Sequence, residues 1–266
     1  MRIIRIVQVM DCVTPNSMID DPILLILAGT ATFLAAGAVK GVTGMGLPTV
    51  AMGLLGALIS PLAAAGLLIV PSLVTNVWQL FSGRQPGALM RRLWPMMLAV
   101  IAGTIAASPL LASGDTALTT CALGAVLIAY GALTLVARQI NVPATLEPFL
   151  SPAIGAATGL VTGATGVFVI PAVPYLQALG LGKDDLVQAL GLSFTVSTVA
   201  LAAGLAWRGA FEVDNLLMSA FAVIPALAGM RAGQAIRNRV SAETFRRCFL
   251  ICLVLLGTEM LARPFL

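Results

Sequence analysis

Apolar residues fall into ten blocks along the chain, at 23–39, 45–59, 61–81, 93–111, 117–137, 149–160, 167–179, 186–206, 216–230 and 249–261. Each is a continuous run of Leu, Ala, Val and Ile rather than the strict alternation of a membrane strand, so the blocks predict helices. Several reach the ~20 residues that a helix needs to cross the hydrocarbon of a bilayer. The blocks divide into two sets of five, and the text of the first set returns in the second. "VTGMGLPTVAMGLLGA" at 42–57 is echoed by "VTGATGVFVIPAVPYLQALG" at 161–180, an offset of about 120 residues. The expected organisation is a leader at 1–21, a first membrane repeat at 22–140 and a second at 141–266.

Polar interruptions refine this picture. The blocks at 23–39, 45–59, 149–160 and 167–179 are short for a full span, and the first two are separated by "KGVTGMGLP" at 40–48. The fold expected is all-α and polytopic, each repeat opening with a glycine-broken, re-entrant-like helical hairpin followed by three transmembrane helices. Irregular backbone at membrane depth survives only where it is buried in protein or lines a wet cavity. The two breaks therefore predict an internal site.

Composition agrees with a membrane location. Of 266 residues, 59% are hydrophobic and only 10% charged, against the roughly 25% charged residues of a soluble domain. The net charge of +4 is distributed without aromatic interleaving, so nucleic acid is not an expected partner. Four cysteines lie mostly in apolar runs and read as packing residues. Eight of the fifteen basic residues cluster in two places, at Arg84, Arg91 and Arg92, and at Arg231, Arg237, Arg239, Arg246 and Arg247. These positions are not equivalent in the two repeats. If both clusters face the cytoplasm, the repeats are inverted with respect to each other.

Candidate chemistry sits at the breaks. A helix that resumes after a glycine turn presents free N–H groups and the positive end of its dipole, which suits an anion. The expected site unites Lys40, Thr43, Gly44, Met45 and Gly46 from the first tip with Thr162, Gly163, Thr165 and Gly166 from the second, the two tips converging near the bilayer centre. Lys40 sets the sign of the ligand, because a buried ammonium calls for a negative partner. Asn76, Gln188 and Ser193 on the following spans join the site, with Ser72, Thr75, Gln79, Thr195 and Ser197 as neighbours at helical spacing. Trp78, Trp94 and Trp207 fall near span ends and read as interfacial anchors.

Histidine is absent, which removes histidine-based acid–base and metal chemistry, and carboxylates inside the blocks are scarce. The reading is therefore of a transporter with no cofactor and no metal, not an enzyme. An anion channel and an intramembrane enzyme are the alternatives. Its partners are a small anionic substrate and the lipid bilayer; homo-oligomerisation is left open.

The motifs "GVTGMGLPTV" and "TGATGVFVIPAV", with the closing "GMRAGQAIRNRVSAETFRRCFLICLVLLG", resemble the sulfite exporter TauE/SafE family of membrane transporters over nearly the whole chain after Asp21. The resemblance implies secondary transport of a small sulfur-containing anion, such as sulfite or an organosulfonate, by a multi-pass protein of a bacterial inner membrane. The family's glycine-rich motifs fall by position on Gly41, Gly44, Gly46 and Pro48, and on Gly159, Gly163, Gly166 and Pro171.

Overall fold

The computed structural model describes residues 22–83, 86–113, 115–136, 141–210, 213–237 and 242–263. The expected leader, Arg84 and Arg239 lie outside them. The described residues are helical: α1 Pro22–Thr43, α2 Leu47–Leu58, α3 Pro61–Phe81, α4 Pro86–Ala112, α5 Thr116–Val136, α6 Glu147–Thr165, α7 Ala172–Ala178, α8 Lys183–Trp207, α9 Val213–Phe221, α10 Val223–Arg237 and α11 Ala242–Ala262. Five of these, α1, α3, α4, α5 and α8, are long and apolar enough to cross a membrane.

The first hairpin is asymmetric, which corrects the expectation of two short limbs. α1 has 22 residues, and at 1.5 Å per residue its length of about 33 Å matches a full span. α2 has 12 residues and returns only part of the way. In the second hairpin α6 has 19 residues and α7 only 7. The expected block at 216–230 is likewise divided, because the chain turns at Ala222 between α9 and α10, three residues before Pro225.

Chain directions follow from the contacts. On α3 and α8, Ser72 meets Thr198, Gln79 meets Val187 and Leu80 meets Gln188, so these helices run antiparallel. α5 and α11 are also antiparallel, with Gly124 against Gly257 and Gly131 against Leu250. In contrast, Gly155, Gly159 and Gly163 of α6 lie on the carbonyls of Met96, Val100 and Thr104, so α6 runs parallel to α4. Gly37 and Gly41 of α1 lie in the same way on Ala226 and Met230 of α10, another parallel pair. The small-residue spacing of four lets the backbones touch, which is how membrane helices associate without a hydrophobic drive between them.

These directions gather the described basic clusters at one end of the bundle. α3 ends and α4, α6 and α8 begin there, α4 and α6 being tied by the bidentate pair of Arg92 with Glu147 at 2.7 and 2.7 Å. α1 and α10 end at the same side, and α11 begins there. Arg91, Arg92, Arg231, Arg237, Arg246 and Arg247 therefore share that end, while Arg208 and Arg263 lie at the other.

Two details prepare the site. Pro71, inside α3, cannot donate to the carbonyl of Leu67, four residues earlier. Ser219 of α9 repairs the break: its hydroxyl donates to Leu67 O at 2.8 Å and accepts from Val70 N at 3.0 Å. Ring packing of Phe168 on Phe194, with centroids 5.4 Å apart, seats the stretch after α6 on α8. One other expectation is corrected at the surface. Cys248 and Cys252 are exposed on the outer face of α11 instead of buried. Trp78, Trp94 and Trp207 are exposed, Trp78 in an apolar groove with Val74, Val77 and Phe81.

Candidate functional site

Both hairpins break in the same way. Thr43 Oγ1 donates to Val39 O at 2.9 Å and accepts from Met45 N at 3.3 Å; Thr165 Oγ1 donates to Val161 O at 2.7 Å and accepts from Val167 N at 3.3 Å. Gly44 and Gly166 follow in the left-handed region, at φ 78° and 72°, where a side chain is strained. Each glycine amide closes the last helical turn, Gly44 N on Lys40 O and Gly166 N on Thr162 O, both at 2.8 Å. Thus Gly44 corresponds to Gly166, an offset of 122 residues, and Lys40 corresponds to Thr162.

This register revises the expected second tip. Thr162 and Gly163 lie inside α6, one turn before the break. The Thr162 hydroxyl is spent on Thr158 O at 2.7 Å, and Gly163 is pressed on the backbone of α4 from Thr104 to Ser108. Nor do the tips converge. Gly44 O accepts from Gln79 near the end of α3, whereas Gly166 packs against Met52 of α2 and Ala65 near the start of α3. Gln79 and Ala65 are 14 residues apart, about 21 Å along the helix at 1.5 Å per residue.

Between the tips lies a buried polar chain. Lys40, 3% exposed, donates from Nζ to Thr75 Oγ1 at 3.1 Å and to Asn76 Oδ1. Asn76 Nδ2 donates to Ser72 Oγ at 2.9 Å, and Ser72 Oγ lies 3.3 Å from Thr198 Oγ1 on α8. One turn toward the basic end, Gln79 Nε2 bridges Gly44 O at 2.9 Å and Val187 O at 3.0 Å. Gln188 Nε2 donates to Leu80 O at 2.7 Å, which fastens α8 to α3 beside this bridge.

Of the expected residues, the structure thus joins Lys40 with Asn76, and places Thr43, Gly44, Met45 and Gly46 on the turn that follows Lys40. Gln188 sits at the adjoining α3–α8 contact. Ser193 is buried on α8, and its hydroxyl is without a partner among the described residues. The residues of the second tip, Thr162, Gly163, Thr165 and Gly166, are not joined to the polar chain: their hydroxyls bond within α6, and the glycines pack on α4 and on Met52 and Ala65. Thr198 and Thr49 were missed. Thr198 occupies the α8 position four residues after Phe194, and its only signal is the recurrence of hydroxyls at helical spacing. Thr49 lies in the first turn of α2, fully buried with its Oγ1 unpartnered, directly after a Gly46 N-cap that no side chain covers.

Among the described residues Lys40 has no acidic partner: the ion pairs there are Arg92–Glu147 and Arg263–Glu259, and neither touches it. Lys40 lies in the last turn of α1 but is enclosed by protein, and hydroxyl and amide oxygens offset only part of the cost of burying its charge. A polar groove of about 370 Å³ lies at the basic end, lined by Ser82, Gly83, Gly182, Lys183, Asp184, Asp185 and Val187. Its inner wall is Val187, whose carbonyl takes the Gln79 bridge.

Over residues 29–260 the sequence matches the family described as Sulfite exporter TauE/SafE. The chain belongs to that family. It is a membrane transporter of the TauE/SafE family and not an enzyme. No curated protein and no solved structure matches the chain. In this TauE/SafE transporter the glycine-rich positions are divided between two tasks: Gly44, Gly46 and Gly166 make the breaks, while Gly41, Gly159 and Gly163 bring helix backbones together.

Proposed function

We propose that this protein is a secondary transporter that carries a small sulfur-containing anion, sulfite or an organosulfonate, across the bacterial inner membrane by alternating access. The observation that carries the proposal is the buried amine of Lys40, held by Thr75 and Asn76 beside the α3–α8 contact, with no carboxylate paired to it among the described residues. An oxyanion there supplies a neutralising charge and accepts from the third N–H of Lys40.

The exchange of partners between halves supports inverted repeats. α3 and α8, counterparts in the two halves, cross antiparallel, as do α5 and α11; α1 packs on α10 as α6 packs on α4. A two-fold axis in the membrane plane produces this pattern, and it brings Arg91, Arg92, Arg231 and Arg237 to one side, read as cytoplasmic. Such a pair of halves rocks about a site between them. The polar groove at Ser82 and Val187 is then the cytoplasmic approach, and Gln79 is the barrier between groove and Lys40. Substitution of Thr162 at the position equivalent to Lys40 makes the site lopsided, with the substrate closer to the first half.

The test is flux into proteoliposomes from sulfite, thiosulfate, sulfoacetate and plain carboxylates. Saturable uptake of the sulfur anions, accelerated by the same anion trapped on the opposite side, is expected. Conductance that neither saturates nor shows counterflow would assign a channel instead.

A further inference from the structure

We propose that Gln79 reads a hydrogen-bond donor on the substrate, so that the site takes a monoanion bearing an O–H or N–H beside its oxyanion group in preference to a donor-free or fully deprotonated one. This rests on the anion site proposed above and adds a second requirement to it.

The amide of Gln79 is only 6% exposed, and its orientation is determined by its partners. Nε2 donates to two carbonyl oxygens, Gly44 O and Val187 O, and a flipped amide would set oxygen against oxygen at both. Oε1 is therefore a true acceptor, buried and without a donor among the described residues. A buried acceptor left unpaired is costly, and a native one calls for a reason.

The location supplies the reason. Gln79 lies three residues after Asn76 on α3, and the Gly44 that it binds lies four residues after Lys40, in the break that follows α1, so the acceptor lies one turn along α3 from the residue that holds the ammonium. Lys40 has three N–H groups, of which two are directed at Thr75 and Asn76, leaving one donor for the ligand. One free donor on a cation beside one free acceptor is complementary to an anion that is itself a donor. Hydrogen sulfite and a hydroxyalkanesulfonate have that character. A sulfite dianion or a plain alkanesulfonate offers only acceptors, and brings lone pairs against Oε1.

The matched probes are ethanesulfonate and 2-hydroxyethanesulfonate, which differ by one hydroxyl, titrated against the thermal unfolding of the purified full-length transporter. Wild type is expected to bind the hydroxylated probe roughly tenfold to a hundredfold more tightly, the range expected when a buried acceptor is otherwise left unpaired. In Gln79→Met the ratio falls to about one, and a purely structural role for Gln79 would instead weaken both probes alike and keep the ratio. Gln79→Asn, which draws the amide back by one methylene, reads the same ratio if the methionine variant does not fold. Equal affinities in wild type, with both probes lost in Lys40→Met, would overturn the role of Gln79 and leave the anion site standing. Failure of both probes to stabilise wild type, or unchanged binding in Lys40→Met, would overturn both.

Discussion

Lys40→Met is expected to remove anion binding while leaving the unliganded protein about as stable as before. Taking away one member of a buried, hydrogen-bonded charge pair costs about 2–5 kcal/mol, or roughly 30- to 5,000-fold in affinity. Stability responds to two opposing terms. The substitution relieves the cost of a buried charge, at most about 2.5–3.5 kcal/mol because that figure holds at a span centre and Lys40 lies in the last turn of α1, and fills the same space with an apolar chain. It also leaves Asn76 Oδ1 without its donor, a loss of about 1–3 kcal/mol. These terms nearly cancel. Thermal unfolding in detergent, with and without sulfite, measures both: the sulfite-induced shift disappears, while the unliganded midpoint moves little. A lysine that merely braced α1 against α3 would give the reverse, a lowered midpoint and an intact sulfite shift. Thr119→Val, in the first turn of α5 with its hydroxyl bonded to Asp115 O, serves as the control that leaves binding unchanged.

Gly159→Val is expected to disrupt the bundle more than any change at the polar site. A Cβ at Gly159 falls on the carbonyl of Val100 and comes within 2.8 Å of Thr104 N and 2.9 Å of Gly103 Cα. All three are backbone atoms, so no rotamer change gives relief and α4 must part from α6 along the whole stripe. Overpacking alone costs about 1–3 kcal/mol, to which the lost contacts between the helices are added. The folded, monodisperse yield should collapse, or the unfolding midpoint should fall by many degrees. Gly29→Val on α1, where an added Cβ meets nothing within 4 Å, should behave as wild type.

The same stripe explains what was and was not legible in the sequence. Continuous apolar runs made the helical, multi-pass character plain, and the glycine-rich interruptions located the first break correctly at Gly44–Gly46. The second break lies at Thr165 and Gly166, within the expected tip, but the register between the two tips differs by three residues, because "VTG" at 42–44 and at 161–163 matches in text and not in backbone. Gly163 in fact continues a row with Gly155 and Gly159 at a spacing of four, a helix-packing signature present in the sequence and overlooked. The structural match instead sets Thr43 and Gly44 against Thr165 and Gly166, which share the hydroxyl bond to the carbonyl four residues earlier, the amide bond to the hydroxyl and the glycine amide bond, while Thr43 Oγ1 alone also lies 2.7 Å from Met45 O.

Lys40 was recognisable as anomalous from its surroundings alone. Its partners were not, since which face of a 21-residue helix meets α1 depends on the kink at Pro71 and on the plug supplied by Ser219, some 150 residues away in the chain. For the same reason Gln79 read only as one polar residue among several. Its distinction lies in pairing both of its donor hydrogens and neither lone pair, which no spacing rule reveals.

The central claim is that an anion sits on Lys40 in the interior of the bundle, between two glycine breaks that stay apart. A cryo-electron microscopy map of the purified protein with 2-hydroxyethanesulfonate tests it most directly. The expected result is ligand density within hydrogen-bond distance of Lys40 Nζ, with the hydroxyl end directed at Gln79. Ligand density confined to the outer groove at Ser82 and Lys183, with Lys40 still engaged by Thr75 and Asn76 alone, would contradict it.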